Sequence, residues 1–211
     1  MECENCGSSY PGKLVKVNNI IDQLCIECGR HIKVDTSKWD TYFHTICQSV
    51  ASKSPCLSRH IGAILVRDHS IVSTGYNGPS RGVPHCGHDR VMKDNTLTDA
   101  YQDIYGGQDI PLLRFRLECP RKILGYLSGT HMELCPAQHA ETNAISNAAR
   151  LGVSVLGTTL YMNSVIPCKG CYGALINAGI VEIVIDEITV FDKHTQYLID
   201  NSNIKIRSFE L

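Results

Sequence analysis

Two short stretches constrain this chain more than anything else in it: HAE (His139–Glu141) and PCKGC (Pro167–Cys171). Each opens an apolar helical run, ETNAISNAARLG after the first and GALINAGI after the second, with the β-rich GTTLYMN between them. Two strand–helix units thus each deliver metal-type ligands at a helix start. Cys168 and Cys171 stand at i and i+3, neighbours on one face of a first turn. Pro167 fits just ahead of that turn, where no amide donor is needed. His139 supplies a nitrogen. Three protein ligands leave one tetrahedral position open, as catalytic zinc sites do, whereas a structural site would be closed by a fourth ligand. Glu141, two residues from His139, converges on the metal only at the open end of its helix. A glutamate there is placed to move protons rather than to bind zinc. Both helix N-termini aim positive dipole ends at the site, which favours thiolate over thiol.

A second cysteine set is separate. CENCG (Cys3, Cys6) and CIECG (Cys25, Cys28) have the spacing C-x2-C-x18-C-x2-C, and a glycine follows each pair. That is the pattern of a four-thiolate zinc ribbon. Residues 1–35 are too short to hold a core alone, so metal would be the fold of this module. It is short of Lys and Arg, so scaffolding or protein contact is a better expectation than reading nucleic acid.

The remainder, 36–211, reads as one domain with an insertion at 87–134. With 43% hydrophobic and 19% charged residues it can bury a core. A net charge of −1 argues against a broad basic surface for a nucleic-acid backbone. No 18-residue apolar run suggests a membrane span, and MECENCGSSYPG lacks the layout of a signal peptide. The expected compartment is therefore the reducing cytoplasm, where the 11 cysteines read as metal ligands or free thiols before disulfides. WDTYFHTICQSVASKS has helical spacing at Trp39, Phe43, Ile46 and Val50, which predicts a helix over 38–53. IGAILVR and IVSTGYN, split by Asp68 and His69, predict a hairpin. Residues 89–133 are polar and weakly patterned, an insertion carrying short helices. Helices at 140–151, 169–179 and 192–201 then alternate with strands at 157–163, 181–186 and 204–209. The class is α/β, a sheet with helices on both faces.

HAETNAI, TTLYMNSVIPCKGC and INAGI together resemble the zinc-dependent cytidine and deoxycytidylate deaminase superfamily. GAILVRDHSIVSTGYNGPSRGVPHC (62–86) is similar to its deoxycytidylate (dCMP) deaminase branch, and the likeness covers about 38–186. The ribbon, the insertion and Ile166 ahead of Pro167 depart from common members. The resemblance implies a three-layer α/β/α sandwich around a five-strand mixed sheet. It implies hydrolytic loss of the 4-amino group of dCMP, giving dUMP and ammonia, with Glu141 moving protons from water to ring N3 and to the leaving amine. Asn77 matches the family turn and is expected on the sugar, with Arg59, Arg81 and Ala140 as further substrate contacts. Arg114 or Arg116 could reach the phosphate from the insertion. Gly75, Tyr76 and Gly78 are candidates for an effector site, Tyr76 being read otherwise as core. Members of this branch are often homo-oligomers, switched on by dCTP and off by dTTP with magnesium aiding the triphosphate.

Some relatives hold a structural zinc with cysteines at the places of Cys56 and Cys86. That makes Cys56, Cys86, Cys119 and Cys135 a candidate closed site pinning the insertion, with His131, His85 or His88 as substitutes. Buried free thiols are the plainer reading. Cys47, on the helical stripe, is expected in the core. Two rival functions stay open at this point. One is a polynucleotide deaminase whose ribbon holds RNA or DNA; the other is a non-catalytic zinc module, for which an intact Glu141 has no use.

Overall fold

The computed structural model describes residues 13–17, 20–24, 31–32, 37–106, 112–127, 129–190 and 192–211. Near the N-terminus, β1 (Lys13–Val17), β2 (Ile20–Leu24) and β3 (His31–Ile32) form a small antiparallel sheet in the order β1-β2-β3. Cys3, Cys6, Cys25 and Cys28 lie outside the described residues.

The main body begins with α1 (Ser37–Ala51), followed by the hairpin β4 (Gly62–Arg67) and β5 (Ser70–Tyr76) and the two-residue β6 (Gly78–Pro79). Asp68 and His69 both adopt positive φ, 52° and 56°, the backbone that closes a two-residue hairpin along the right-handed strand twist. Four short helices come next: α2 (His88–Val91), α3 (Asn95–Tyr105), α4 (Leu112–Leu117) and α5 (Pro120–Ile123). Then β7 (Ala137–Gln138) leads into α6 (Ala140–Arg150), β8 (Thr159–Val165), α7 (Lys169–Ala178), β9 (Glu182–Glu187), α8 (Lys193–Asp200) and β10 (Lys205–Ser208).

Five strands make one mixed sheet in the order β10-β9-β8-β4-β5. β8, β9 and β10 run parallel, while β4 is antiparallel to both β5 and β8. The parallel pairs follow from the helical crossovers through α7 and α8. β4 is apolar along its length because it is covered on both faces, whereas β5, at the edge, mixes buried and exposed positions. Side chains alternate between two cores. Ile64, Val66, Tyr161 and Val184 meet Phe43 and Cys47 of α1. Ala63, Leu65, Leu160, Met162, Ile183 and Ile185 meet Ala140 and Ala144 of α6 and Tyr172 and Leu175 of α7, with Leu198 and Ile199 of α8 packed against that cluster. This is the three-layer α/β/α arrangement expected.

Three local readings differ. Trp39, read as part of the core stripe, is 41% exposed and stacks on His69 of the hairpin turn, centroids 4.3 Å apart. Tyr76, for which core was the commoner expectation, is 42% exposed at the strand end. The insertion, polar in sequence, has a small core of its own in which Leu97, Tyr101, Ile123, Leu124 and Leu134 come together. Its apolar residues are spread over three helices and a turn, so no single window shows the pattern. Cys47 is fully buried as expected, and burial pushes its thiol up to about 12. Among the described residues no helix is long and apolar enough to cross a membrane.

Candidate active site

Two helix starts meet at the carboxyl end of β8. His139 is the N-cap of α6 and Cys168 the N-cap of α7, and neither side chain caps its own helix. The cap position leaves each ligand in extended backbone, so imidazole and thiol project off the helix end rather than along its flank. Cys171 follows in the first turn of α7, buried. The Cys168 and Cys171 sulfurs lie 3.5 and 3.3 Å from His139 Nδ1. The three ligand atoms fall within 4.8 Å of one another, and among the described residues no other set of three such groups does. One nitrogen and two sulfurs in this geometry fit zinc, whose bonds of about 2.0–2.3 Å would join all three.

The electrostatics suit a cation. Cys168 is lowered to about 4, first by its hydrogen bond with Cys171 and then by His139. His139 is raised to about 10 through its bond with Cys168 and then with Glu141. Cys171 is held up by Cys168, by burial and by the Glu141 charge. One thiolate is thus ready, and protons on His139 and Cys171 leave when a metal enters.

Glu141, in the first turn of α6, is 4% exposed, and its Oε1 lies 3.8 Å from His139 Nδ1. Ala140, between them, is buried in the core beneath the sheet's α6 face. The other predicted contacts surround the same end of the sheet, since Gly62 at the start of β4 pairs with Tyr76 at the end of β5. Asn77 is buried, and its amide spans two loops. Its Oδ1 accepts from Ile61 N at 2.8 Å and its Nδ2 donates to Arg59 O at 2.9 Å. Arg59 is exposed, and Arg81 donates to Asn147 Oδ1 at 3.1 Å. Gly75 is taken up by packing: a Cβ there would lie 2.3 Å from both Ala140 O and Ala144 N. At Gly78 a Cβ would meet Pro55 at 3.1 Å.

The four cysteines read as another closed site do not gather into a ligand set. Cys86 does feel the charges of Cys135 and Cys119, which add to the burial that raises its thiol, while Arg90 lowers it. Cys56 instead accepts from Ser58 N at 3.4 Å.

Several residues that hold the site carry no motif signal. Asn143 donates to Tyr76 O and Asn147 to Thr74 O, each at 2.8 Å, and Ser73 donates to Ala144 O at 2.7 Å. Asn163 Oδ1 accepts from Gly62 N at 2.7 Å, and Ser54 donates to Asn77 O at 2.7 Å. Asparagine at i and i+4 on a predicted helix is the only cue that sequence offers for the first pair.

Known proteins agree with this geometry. The family model described as "Cytidine and deoxycytidylate deaminase zinc-binding region" matches residues 37–187. The deoxycytidylate deaminase of Saccharomyces cerevisiae is 29% identical over 196 residues, covering 92% of this chain and 53% of that protein. That of Enterobacteria phage T2 is 30% identical over 151 residues, covering 71% and 79%. The chain spans about half the length of its fungal relatives. In fold it is similar to the dCMP deaminase of cyanophage S-TIM5, solved in complex with dCMP and dUMP, with TM-score 0.53, 17% identity, and 83% and 99% of the two chains covered. With the ligand geometry and a family match that takes in four of the five sheet strands in agreement, this chain belongs to the cytidine and deoxycytidylate deaminase family.

Proposed function

We propose that this protein hydrolyses the 4-amino group of a cytosine nucleotide, converting dCMP and water to dUMP and ammonia. The observation that carries the reading is the buried Glu141 carboxylate 3.8 Å from the nitrogen at the centre of the ligand cluster. Zinc would be held by His139, Cys168 and Cys171 and, when bound, would supply the Lewis acidity that makes water a nucleophile near neutral pH. Glu141 accepts the water proton, delivers it to ring N3, and assists departure of the amine as ammonia. Asn77 holds the two loops that flank the base and keeps one amide hydrogen for the sugar. Arg59, Arg81 and the Ala140 backbone complete the substrate contacts.

The test is ammonia release from a panel of cytosine nucleosides and their mono-, di- and triphosphates, with Glu141→Ala alongside. The wild type is expected to prefer dCMP. Glu141→Ala is expected to keep its zinc and fold and to lose at least ~100-fold in kcat. Full activity in that variant defeats the mechanism.

Metal content per chain tests the other sets. Ribbon zinc at Cys3, Cys6, Cys25 and Cys28 rests on spacing. The reading of a structural zinc at Cys56, Cys86, Cys119 and Cys135 rests on the family likeness and on the charges of Cys135 and Cys119 felt at Cys86. Two zinc ions per chain fit the first set alone, and three fit both. A homo-oligomer with dCTP and dTTP effectors, magnesium and the Gly75–Gly78 turn is the regulatory reading drawn from the family.

A further inference from the structure

Each of the four polar groups of Asn77 is engaged by the segment that joins α1 to β4. Its N–H donates to Ile61 O at 3.1 Å, and its Oδ1 accepts from Ile61 N at 2.8 Å. Its Nδ2 donates to Arg59 O at 2.9 Å, and its carbonyl accepts from the Ser54 hydroxyl at 2.7 Å. The side-chain amide thus brackets His60, holding the carbonyl before it and the N–H after it. Turned over, it would set donor against donor and acceptor against acceptor, so its orientation is fixed. Arg59 and His60 are exposed, while Asn77 is buried. The knot lies between the chain segments that carry the metal ligands. Gly62, directly after the joining segment, donates to Asn163 near the carboxyl end of β8, from which Cys168 follows. Gly78, directly after Asn77, pairs with Gln138, the residue before His139.

Ser54 ties this knot to the frame of the sheet. It is 7% exposed and follows α1, with its N–H on Ala51 O at 2.9 Å. α1 lies hard against β4, since a Cβ on Gly62 would stand 2.1 Å from Cys47 O. The single hydroxyl proton of Ser54 goes to Asn77 O, and its oxygen accepts from Cys56 N at 3.2 Å. Two backbone groups therefore depend on one buried hydroxyl, and removing it orphans both.

We propose that Ser54 is a positioning residue for substrate binding. It acts through Asn77 and not on the reacting atoms. Anchored at the end of α1, its hydroxyl sets Asn77, and Asn77 sets the Arg59–His60 rim before substrate arrives. Groups held in place beforehand lower the ordering cost of association, so the effect falls on KM and not on kcat. The inference rests on the dCMP-deaminase reading above and adds to it a residue outside the HAE and PCKGC motifs.

Kinetics on dCMP, zinc content, melting temperature and hydrogen exchange at the Ile61 amide are measured on the zinc-loaded full chain. The proteins compared are the wild type, Ser54→Ala, Ser54→Thr and Ser54→Cys. Thr158→Val is the control: it removes a fully buried hydroxyl that donates to Val155 O at 2.8 Å, at the far end of β8 from Cys168. Ser54→Ala is expected to raise KM about tenfold with kcat and zinc content held, and to speed Ile61 exchange to a similar degree. Ser54→Thr, which keeps the hydroxyl, recovers most of both, and Ser54→Cys, a weaker donor, falls between. Thr158→Val lowers the melting temperature and leaves KM and Ile61 exchange at wild-type values. Wild-type KM and exchange in Ser54→Ala overturn the proposal, as does a KM rise of equal size in Thr158→Val, which would mark general loosening. If Ser54→Ala does not fold, Ser54→Cys decides on the same readouts. A wild type that releases no ammonia from dCMP refutes the functional reading, while Ile61 exchange still judges the Ser54 tie without turnover.

Discussion

His139 and Cys168 perform the same act at two different helices. Each ends an extended segment, begins a helix, and leaves its side chain free of capping duty so that it can face a metal. In the proposed mechanism Glu141 does the proton work, and it is buried and shares its helix end with a ligand. Elsewhere a carboxylate does cap. Asp192 accepts from Thr195 N and from the Thr195 hydroxyl at the start of α8, and these bonds, the hydroxyl first, hold its pKa below the usual carboxylate value. Asp192→Ala should cost about 1 kcal/mol at neutral pH. Because the folded pKa is depressed, this contribution is complete above the ordinary carboxylate range and vanishes as pH falls through the folded value. Melting temperatures of wild type and variant should therefore converge on acidification; a gap that stays constant to low pH contradicts the assignment.

The pairing of α6 with β5 sets the position of the catalytic helix. Asn143 and Asn147, one turn apart, take the outward carbonyls of Tyr76 and Thr74, so the edge strand is sealed by a helix. Gly75 and the small Ala140, Ala144 and Ala148 let the two backbones approach. Gly75→Ala should push α6 off the sheet, lowering stability by about 1–3 kcal/mol, and lower zinc occupancy with it. Gly173→Ala, where an added Cβ meets nothing within 4 Å, should stabilise α7 by up to ~1 kcal/mol. Denaturant melts and metal analysis of the two variants separate these outcomes, and equal behaviour would refute the packing account. Asn143→Ala should lower kcat/KM with zinc content unchanged, since it releases the Tyr76 turn without touching a ligand.

Across the molecule, the last strand is tied back to the first helix. Arg207 of β10 donates to Asp40 of α1 and to Glu182 of β9, and Glu210 N donates to Asp40 as well. Asp40 is 3% exposed, so Arg207→Ala would leave a buried carboxylate without its cation, a loss of about 3 kcal/mol. Urea midpoints for Arg207→Ala and for Asp40→Asn paired with Arg207→Leu test this, because the double change should recover part of the loss. The two sheet cores contain neither the His139 nor the Cys168 side chain. Chelation at the active site is therefore expected to abolish turnover while the far-UV signal of the α/β body persists; collapse of that body on chelation would show that the metal is structural.

The His139, Cys168 and Cys171 cluster, helix starts, strand alternation and sheet class were legible in the chain because each is local. Spacing within one helical turn or one strand is enough to state them, and HAE with PCKGC is a complete donor set once the two helix ends meet. Long-range placement was not legible. Trp39 lies on a helical stripe yet stacks on a hairpin turn, and the core of the insertion is gathered from residues too far apart for any periodic window. The same holds for the asparagines that seal β5 and for the pairing of Arg90 with Asp94 and of Arg114 with Glu118. A motif records which atoms do chemistry. Which charges remain available to a ligand depends on what every other charge has already paired with, and that is settled only when the elements pack.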